Sequence, residues 1–356
     1  MTSPGKRRAA VVGTGLIGGS LGLALRARGW HVTGSDRDEQ RAARALALGA
    51  LDTVGVDPAA EVTFVATPVG AIAEQARRAL DDGDGIVTDV GGVKASIVGE
   101  VTSPRFVGGH PMAGSEQEGV DGADASLFEG ATWVLTPTVD TDPSAFTQVR
   151  SLVTDLGAEV IALTPAQHDA LVAIVSHVPH LTAATLMGLA AEGAEAHTAL
   201  LRLAAGGFRD MTRVAAGHPG IWPDICRENR DAIVDALDSL SAALRETRDL
   251  VADGDRDGLL KRLESARSAR VNLPARVIRP EDLAELRVPV PDRPGVLAEV
   301  TTLASEVGVN ILDIEIAHSA EGPRGVLVLV VDAAQTDLVR GALIARGYRP
   351  SVRALS

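Results

Sequence analysis

The chain has 356 residues, 46% of them hydrophobic, and a formal net charge of −13, so it carries apolar material for two or three cores. That acidity argues against a nucleic-acid or anionic-membrane partner, because phosphate-binding surfaces need clustered Lys and Arg; an anionic small molecule would have to be held by a few local cations. A single cysteine, Cys226, excludes an intrachain disulfide. The sequence reads as having no apolar run near the roughly 18 residues that span a bilayer. The N-terminal MTSPGKRR leads into AAVVG, too short for a signal-peptide core, and a cytoplasmic protein is expected.

Residues 1–163 alternate short apolar runs with helical patterns, as a parallel sheet with crossover helices does. The runs are AAVVG, HVTGSD, VTFVATP, GIVTDVG, RFVGG and TWVLTP. The fold class expected is α/β, a Rossmann-like dinucleotide-binding domain whose ligands sit at the carboxyl ends of the strands. In VVGTGLIGGSLGLAL, Gly13, Gly15 and Gly18 stand at G-x-G-x-x-G spacing between a strand and an amphipathic helix. The first permits a tight turn, the second lets pyrophosphate reach the backbone, and the third lets helix pack on strand. Leu16 and Ile17 open that helix, whose amides face the phosphates. Asp36 closes the second strand where a carboxylate takes the ribose hydroxyls, and Thr67 and Pro68 end the third run at the same edge. Asp36 favours NAD over NADP, while the adjacent Arg37 keeps NADP open.

RFVGGHPMAG ends a strand at that ligand edge and places His110 toward the nicotinamide end of the site. Pro111 restricts His110 to extended backbone, and Gly108 and Gly109 leave room beside it. An imidazole titrating near pH 6.5 accepts a proton from a substrate hydroxyl while hydride leaves the same carbon. A loop histidine without chemistry is the alternative.

Residues 164–278 are helical in period and rich in Ala and Leu, and are expected to close the cleft and pair subunits. SHVPH carries Ser176, His177 and His180; GGFRDMTRVA carries Arg209, Asp210 and Arg213. No carboxylate or cysteine stands at zinc-ligand spacing around the histidines, and Pro179 is expected to interrupt the helix, so no metal is expected. Arg213 is either a guanidinium fork for a substrate carboxylate or a surface salt bridge with Asp210.

Taken in order, GTGLIGGSLGLAL, DVGGVK, GGHPMAGSEQEG, SHVPH and GGFRDMTRVA with IWPDICRENRD resemble the prephenate dehydrogenase family over Val11 to about Arg270. The resemblance implies NAD-dependent oxidative decarboxylation of prephenate to 4-hydroxyphenylpyruvate, with arogenate as the alternative substrate. It implies that His110 engages the ring C4 hydroxyl and that Arg213 holds a substrate carboxylate. Ser176 and His180 become polar residues on the helical side of the cleft, and Glu116 an acid of the loop after the histidine. One departure stands out: where the family pattern is D-x-G-S-x-K, this chain has Gly92 in place of the serine, leaving Ser115, Ser96 or a water to replace its hydroxyl. A simple hydroxy-acid dehydrogenase and a non-catalytic sensor of dinucleotide and amino acid are the rival readings.

After Asn272–Leu283, residues 283–356 read βαββαβ, a ferredoxin-like unit. DRPGVL followed by GVNILDIEI resembles an ACT domain, which implies an amino-acid effector, tyrosine being the natural one, near Gly295 and Asn310. Pairing alone is sufficient reason for such a unit, and a homodimer is expected.

Overall fold

The computed structural model describes residues 6–114, 117, 119–196, 200–272, 283–291, 293–318 and 324–354. They form two compact units, Met1–Leu273 and Pro274–Ser356.

In the first unit, β1 (Arg8–Val12), α1 (Leu16–Ala27), β2 (His31–Ser35), α2 (Glu39–Ala47), β3 (Thr53–Val54), β4 (Val62–Val65), α3 (Val69–Asp82), β5 (Ile86–Asp89), α4 (Ala95–Glu100), β6 (Phe106–Pro111), β7 (Thr132–Thr136), α5 (Pro143–Asp155) and β8 (Glu159–Ala162) build one sheet and its covering helices. The sheet runs β3-β2-β1-β4-β5-β6-β7-β8. The chain winds outward from β1 to β2 on one side and resumes at β4 on the other, so the crevice at their carboxyl ends is the switch point where doubly wound sheets bind ligands. Strands β4 and β5 are buried throughout, as parallel strands covered on both faces must be. Trp133 sits at the centre of the core, 5.2 Å from Phe128 and 6.5 Å from Phe64 between ring centroids.

The sheet departs from the all-parallel expectation at one place. Strand β7 runs antiparallel to β6, with His110 opposite Val134. The described part of the connection holds only the 3-10 turn Val120–Gly122; without a crossover helix the chain returns antiparallel. Strands β3 and β8 lie at the sheet edges and are largely exposed, too short to stand out as apolar runs.

The helical part begins with α6 (Pro165–Val172), started by a capping box between Thr164 and Gln167 with Pro165 in the first turn. It continues through a π-helical turn, Ala173–His177, into α7 (Val178–Ala196). Pro179 therefore does not interrupt the helix. The amide of Val178 bonds back to the Ala173 carbonyl, five residues earlier; this widened turn receives the proline where a regular ladder would clash with its ring. Helices α8 (Gly206–Thr212), α9 (Trp222–Glu228), α10 (Arg230–Ala252) and α11 (Arg256–Val271) follow.

The continuous helix Pro165–Ala194 has a window of mean hydropathy 1.5, long and apolar enough to cross a membrane. That corrects the sequence expectation, which overlooked it because His168, Asp169, His177 and His180 break up the run. Many of its apolar side chains, Leu171, Ile174, Val175 and Leu189 among them, are exposed within the unit.

The second unit is β9 (Leu283–Pro291), α12 (Val296–Glu306), β10 (Ile311–His318), β11 (Arg324–Asp332), α13 (Thr336–Ala345) and β12 (Ser351–Ala354), the βαββαβ order expected. Its antiparallel sheet runs β10-β11-β9-β12. Period-2 alternation along β9 turns Leu286, Val288 and Val290 inward, where Val300 and Leu303 of α12 and Val339 and Leu343 of α13 cover them.

Candidate active site

The three glycines behind β1 behave as three different constraints. Gly13 has φ +94°, and a Cβ there would lie 2.6 Å from the Ala66 carbonyl oxygen; only glycine makes this turn. A Cβ on Gly18 would meet the Gly13 carbonyl oxygen at 1.9 Å, so helix and strand touch backbone to backbone. Around Gly15 nothing lies within 4 Å, which leaves an open approach to the α1 amides beginning at Leu16 and Ile17. Asp36 accepts from the Thr14 amide at 2.8 Å and from its hydroxyl at 3.2 Å, with its other oxygen on the Asp38 amide. Arg37 is exposed beside it. On the neighbouring strand edge Pro68 caps α3, and the Thr67 hydroxyl is buried with no hydrogen-bond partner among the described residues. An open phosphate cradle, a fixed carboxylate and an orphaned hydroxyl fit a dinucleotide.

Two strands farther along, β5 and β6 pair only as far as Thr88 and Val107. Beyond that point the strands part, and side chains replace the ladder. Asp89 accepts from the Gly109 amide at 3.1 Å and from the Gly91 amide at 2.8 Å, while Lys94 donates to the Gly109 carbonyl at 2.8 Å and pairs with Asp89. Both are fully buried. Burial pushes the Lys94 ammonium below its ordinary value, against the pull of Asp89. This clamp fixes both polar groups of the residue preceding His110.

His110 itself is held from the helical side. Its Nδ1 lies 2.8 Å from His168 Nε2, the rings meeting edge to face at 5.1 Å and 71°. His168 Nδ1 lies 2.7 Å from Asp169 Oδ1. Asp169 in turn accepts from the amides of Lys94 and Ala95, each at 2.8 Å, and its carbonyl accepts from the Asn229 side-chain amide at 2.9 Å. Burial, then the neighbouring His168, Lys94 and His177, hold His110 well below the ordinary histidine value; it is neutral, and so a proton acceptor, at pH 7. A Cβ on Gly92 would lie 3.7 Å from His110 Nε2 and 3.8 Å from Cε1, with nothing else within 4 Å. The missing serine is thus a matter of identity, not of room. Ser96 Oγ is buried without a hydrogen-bond partner among the described residues; Ser115 lies outside them.

Ser176 and His177 sit in the π turn, a feature frequent at functional sites. His177 is buried, 3.3 Å through Nδ1 from the Asn229 amide nitrogen, and burial lowers it to about 4; it packs rather than faces a cleft. His180 stacks on Trp222 at 3.7 Å and 14°, and burial lowers it too. Arg213 opens the 3-10 turn Arg213–Ala216 and is exposed. That turn runs into Gly217, where a Cβ would lie 3.9 Å from His180 Cε1, so His180 and the Arg213 turn are brought together. Glu116 lies outside the described residues. In the second unit Gly295 caps α12 at φ +88° with open space around it, and Asn310 is exposed just before β10. Among the described residues no group of His, Cys, Asp or Glu could hold a metal ion.

Sequence reasoning missed His168 and Asp169, and passed over Lys94 and Asp89 as loop residues. The signal was present: an adjacent His–Asp pair inside a capped apolar helix must be buried on at least one side, and buried polar groups require partners.

A Rossmann cradle after β1, with a neutral, oriented imidazole at the end of β6 in the same sheet, defines a dinucleotide-dependent dehydrogenase. Three family models match the chain: the nucleotide-binding domain of prephenate dehydrogenase over residues 21–162, its dimerization domain over 164–265, and the ACT domain over 284–347. A prephenate dehydrogenase of Bacillus subtilis is 35% identical over 334 residues, covering 89% of this chain and 90% of that protein. A cyclohexadienyl dehydrogenase of Zymomonas mobilis is 34% identical over 74% of this chain and 95% of its own. Among solved structures, an arogenate dehydrogenase of Synechocystis matches at TM-score 0.66 and 32% identity, over 74% of this chain and 98% of that one. A prephenate dehydrogenase of A. aeolicus, in complex with hydroxyphenyl propionate and NAD+, matches at TM-score 0.72 and 29% identity, over 77% and 100%. The chain belongs to the prephenate dehydrogenase family.

Proposed function

We propose that the protein oxidatively decarboxylates prephenate to 4-hydroxyphenylpyruvate with NAD. The observation that carries this reading is His110, neutral, clamped at Gly109 and set at the end of β6 in the sheet that carries the glycine cradle. Bound NAD supplies the acceptor for the hydride that leaves C4. Gly13, Gly15 and Gly18 with Leu16 and Ile17 hold the pyrophosphate, Asp36 the adenosine ribose, and Thr67 and Pro68 line the same edge. Asp36 presents a fixed carboxylate where NADP would bring a phosphate, which favours NAD.

The substrate hydroxyl donates to His110 Nε2. As C4 takes on carbonyl character its proton passes to that nitrogen, and when carbon dioxide leaves C1 the ring aromatises and the oxygen takes the proton back. The proton is lent and returned, so no route to solvent is required; His168, behind His110, is fully buried. Arg213 holds a substrate carboxylate, Ser176 and His180 line the helical side, and Glu116 belongs to the loop after His110. Positioning of this kind supplies roughly 7 kcal/mol or more of barrier reduction.

The chain divides into residues 1–163 for dinucleotide, 164–278 for substrate and pairing, and 283–356 for regulation. Helix Pro165–Ala194 pairs two copies into a homodimer through its exposed apolar side chains. Tyrosine binds the second unit, its carboxylate at the amides after Gly295 and its amine near Asn310.

NADH formation by the purified protein, with prephenate or arogenate as sole substrate and with NAD or NADP, tests the reading. Turnover on prephenate with NAD, inhibited by tyrosine, is expected. Turnover on arogenate alone moves the substrate, and cofactor binding without turnover on either overturns the enzyme assignment.

A further inference from the structure

His168 and Asp169 stand outside the family motifs quoted above. We propose that His168 and Asp169 set the tautomer and orientation of His110. The proposal deepens the reading of His110 as proton acceptor and rests on it.

Asp169 accepts from two backbone amides as well as from His168, so it meets three N–H donors and presents only acceptors. His168 therefore carries a proton on Nδ1, and in the neutral ring Nε2 is then a bare acceptor. Among the described residues the only partner of that nitrogen at hydrogen-bond distance is His110 Nδ1 at 2.8 Å, which must then carry the His110 proton. The lone pair of His110 is consequently on Nε2, the nitrogen facing the space in front of Gly92. Had His110 taken the other tautomer, its Nε2 would be a donor and could not receive the hydroxyl proton.

The same chain acts when the proton arrives. His110 becomes an imidazolium with Nδ1–H on His168, and Asp169 stabilises that charge through the polarised imidazole between them. Gly92 carries no side chain and so offers Nε2 no hydroxyl to share in aiming the ring. Buried hydrogen-bonded networks of this type fix geometry when satisfied, and the two members behind His110 are: His168 and Asp169 are buried, and Asp169 is tied to α4 through two amides and to Asn229 through its carbonyl.

Three readouts test this. In protein labelled with ¹⁵N-histidine, His110 is expected as the Nδ1–H tautomer near pH 7, a result independent of any substrate; a His110 carrying its proton on Nε2 overturns the proposal. With the substrate that the wild type turns over, His168→Leu is expected to lower kcat about 100-fold or more with NAD affinity unchanged. His168→Gln, whose amide oxygen accepts in place of Nε2, is expected to recover part of the loss. Placing Gly92→Ser in the His168→Leu background offers Nε2 a hydroxyl, and is expected to recover part of it from the other side. Wild-type kcat in His168→Leu, or equal loss in the Leu and Gln variants with both folded, overturns the positioning role. A wild type inert on every substrate while His110 shows the Nδ1–H tautomer would sink the enzyme reading and leave this one standing.

Discussion

Lys94 donates its buried ammonium to the carbonyl oxygen of Gly109 at 2.8 Å, one residue before the histidine that faces the cleft. With Asp89 taking the Gly109 amide, an ion pair stands in for the strand that has turned away. Breaking a buried pair by removing one partner leaves an uncompensated charge, at a cost of about 3–5 kcal/mol. Lys94→Met is therefore expected to lower unfolding free energy by that order in urea titrations and to depress kcat through the loosened strand. A Lys94→Met protein as stable as the wild type would show that the pair contributes little to either.

The glycines at the cradle separate folding from binding. Gly13→Ala places a Cβ 2.6 Å from the Ala66 carbonyl at a φ of +94°, a backbone and steric conflict together, and is expected to yield little folded protein. Gly15→Ala meets nothing within 4 Å and is expected to melt as the wild type does while NAD affinity falls at least tenfold, because the added methyl stands in the approach proposed for pyrophosphate. Circular dichroism with cofactor titration by fluorescence checks both. A Gly15→Ala protein that binds NAD normally would move the phosphates elsewhere.

Much of this was legible in the sequence, and the rest was hidden for physical reasons. The glycine spacing, Asp36 and His110 are local patterns, each tied to one strand end, and all three are brought to the same sheet edge. The βαββαβ order of the second unit followed from period-2 runs alternating with helical ones. The direction of β7 was illegible because an apolar strand reads the same both ways; only the missing crossover helix decides it. Pro179 looked like a helix end because a π turn has no sequence signature. His168 and Lys94 were passed over because their partners are 58 and 15 residues away, and nothing in a helix start or a loop announces a distant partner.

The apolar face of helix Pro165–Ala194 is exposed within the first unit. Exposed apolar surface on this scale marks an interface, and the matching family model names a dimerization domain. Ile174→Asp with Leu189→Glu is expected to convert the dimer to monomer in sedimentation velocity, with the far-ultraviolet circular dichroism retained. A double variant that sediments as the wild type does would place the subunit interface on another face.

His110 must be neutral to accept a proton, and burial with His168, Lys94 and His177 nearby holds it well below the ordinary histidine value. Protonation on the acid side removes activity, so kcat/KM is expected to stay level as pH falls from 8 through about 6.5 and to decline only well below that. A pH–rate profile with stability checked at each pH reads this directly. An acid limb centred at 6.5 or above would mean that His110 is not held neutral, or that another group limits the rate.

His177 gives the corresponding stability prediction. Its folded value is lowered to about 4 from 6.5, so between those pH values the unfolded chain binds a proton that the folded one refuses, and stability rises with pH across that window. The contribution is fully present above about 6.5 and is lost as pH falls toward 4. His110 acts with the same sign, so the test is a subtraction: urea midpoints for the wild type and for His177→Gln at pH 7.5, 6, 5 and 4. The Gln variant, which keeps a side-chain amide near Asn229, is expected to show a shallower decline on acidification. Parallel curves would mean that His177 is reached by water in the folded state and contributes nothing to the acid sensitivity of the helical core.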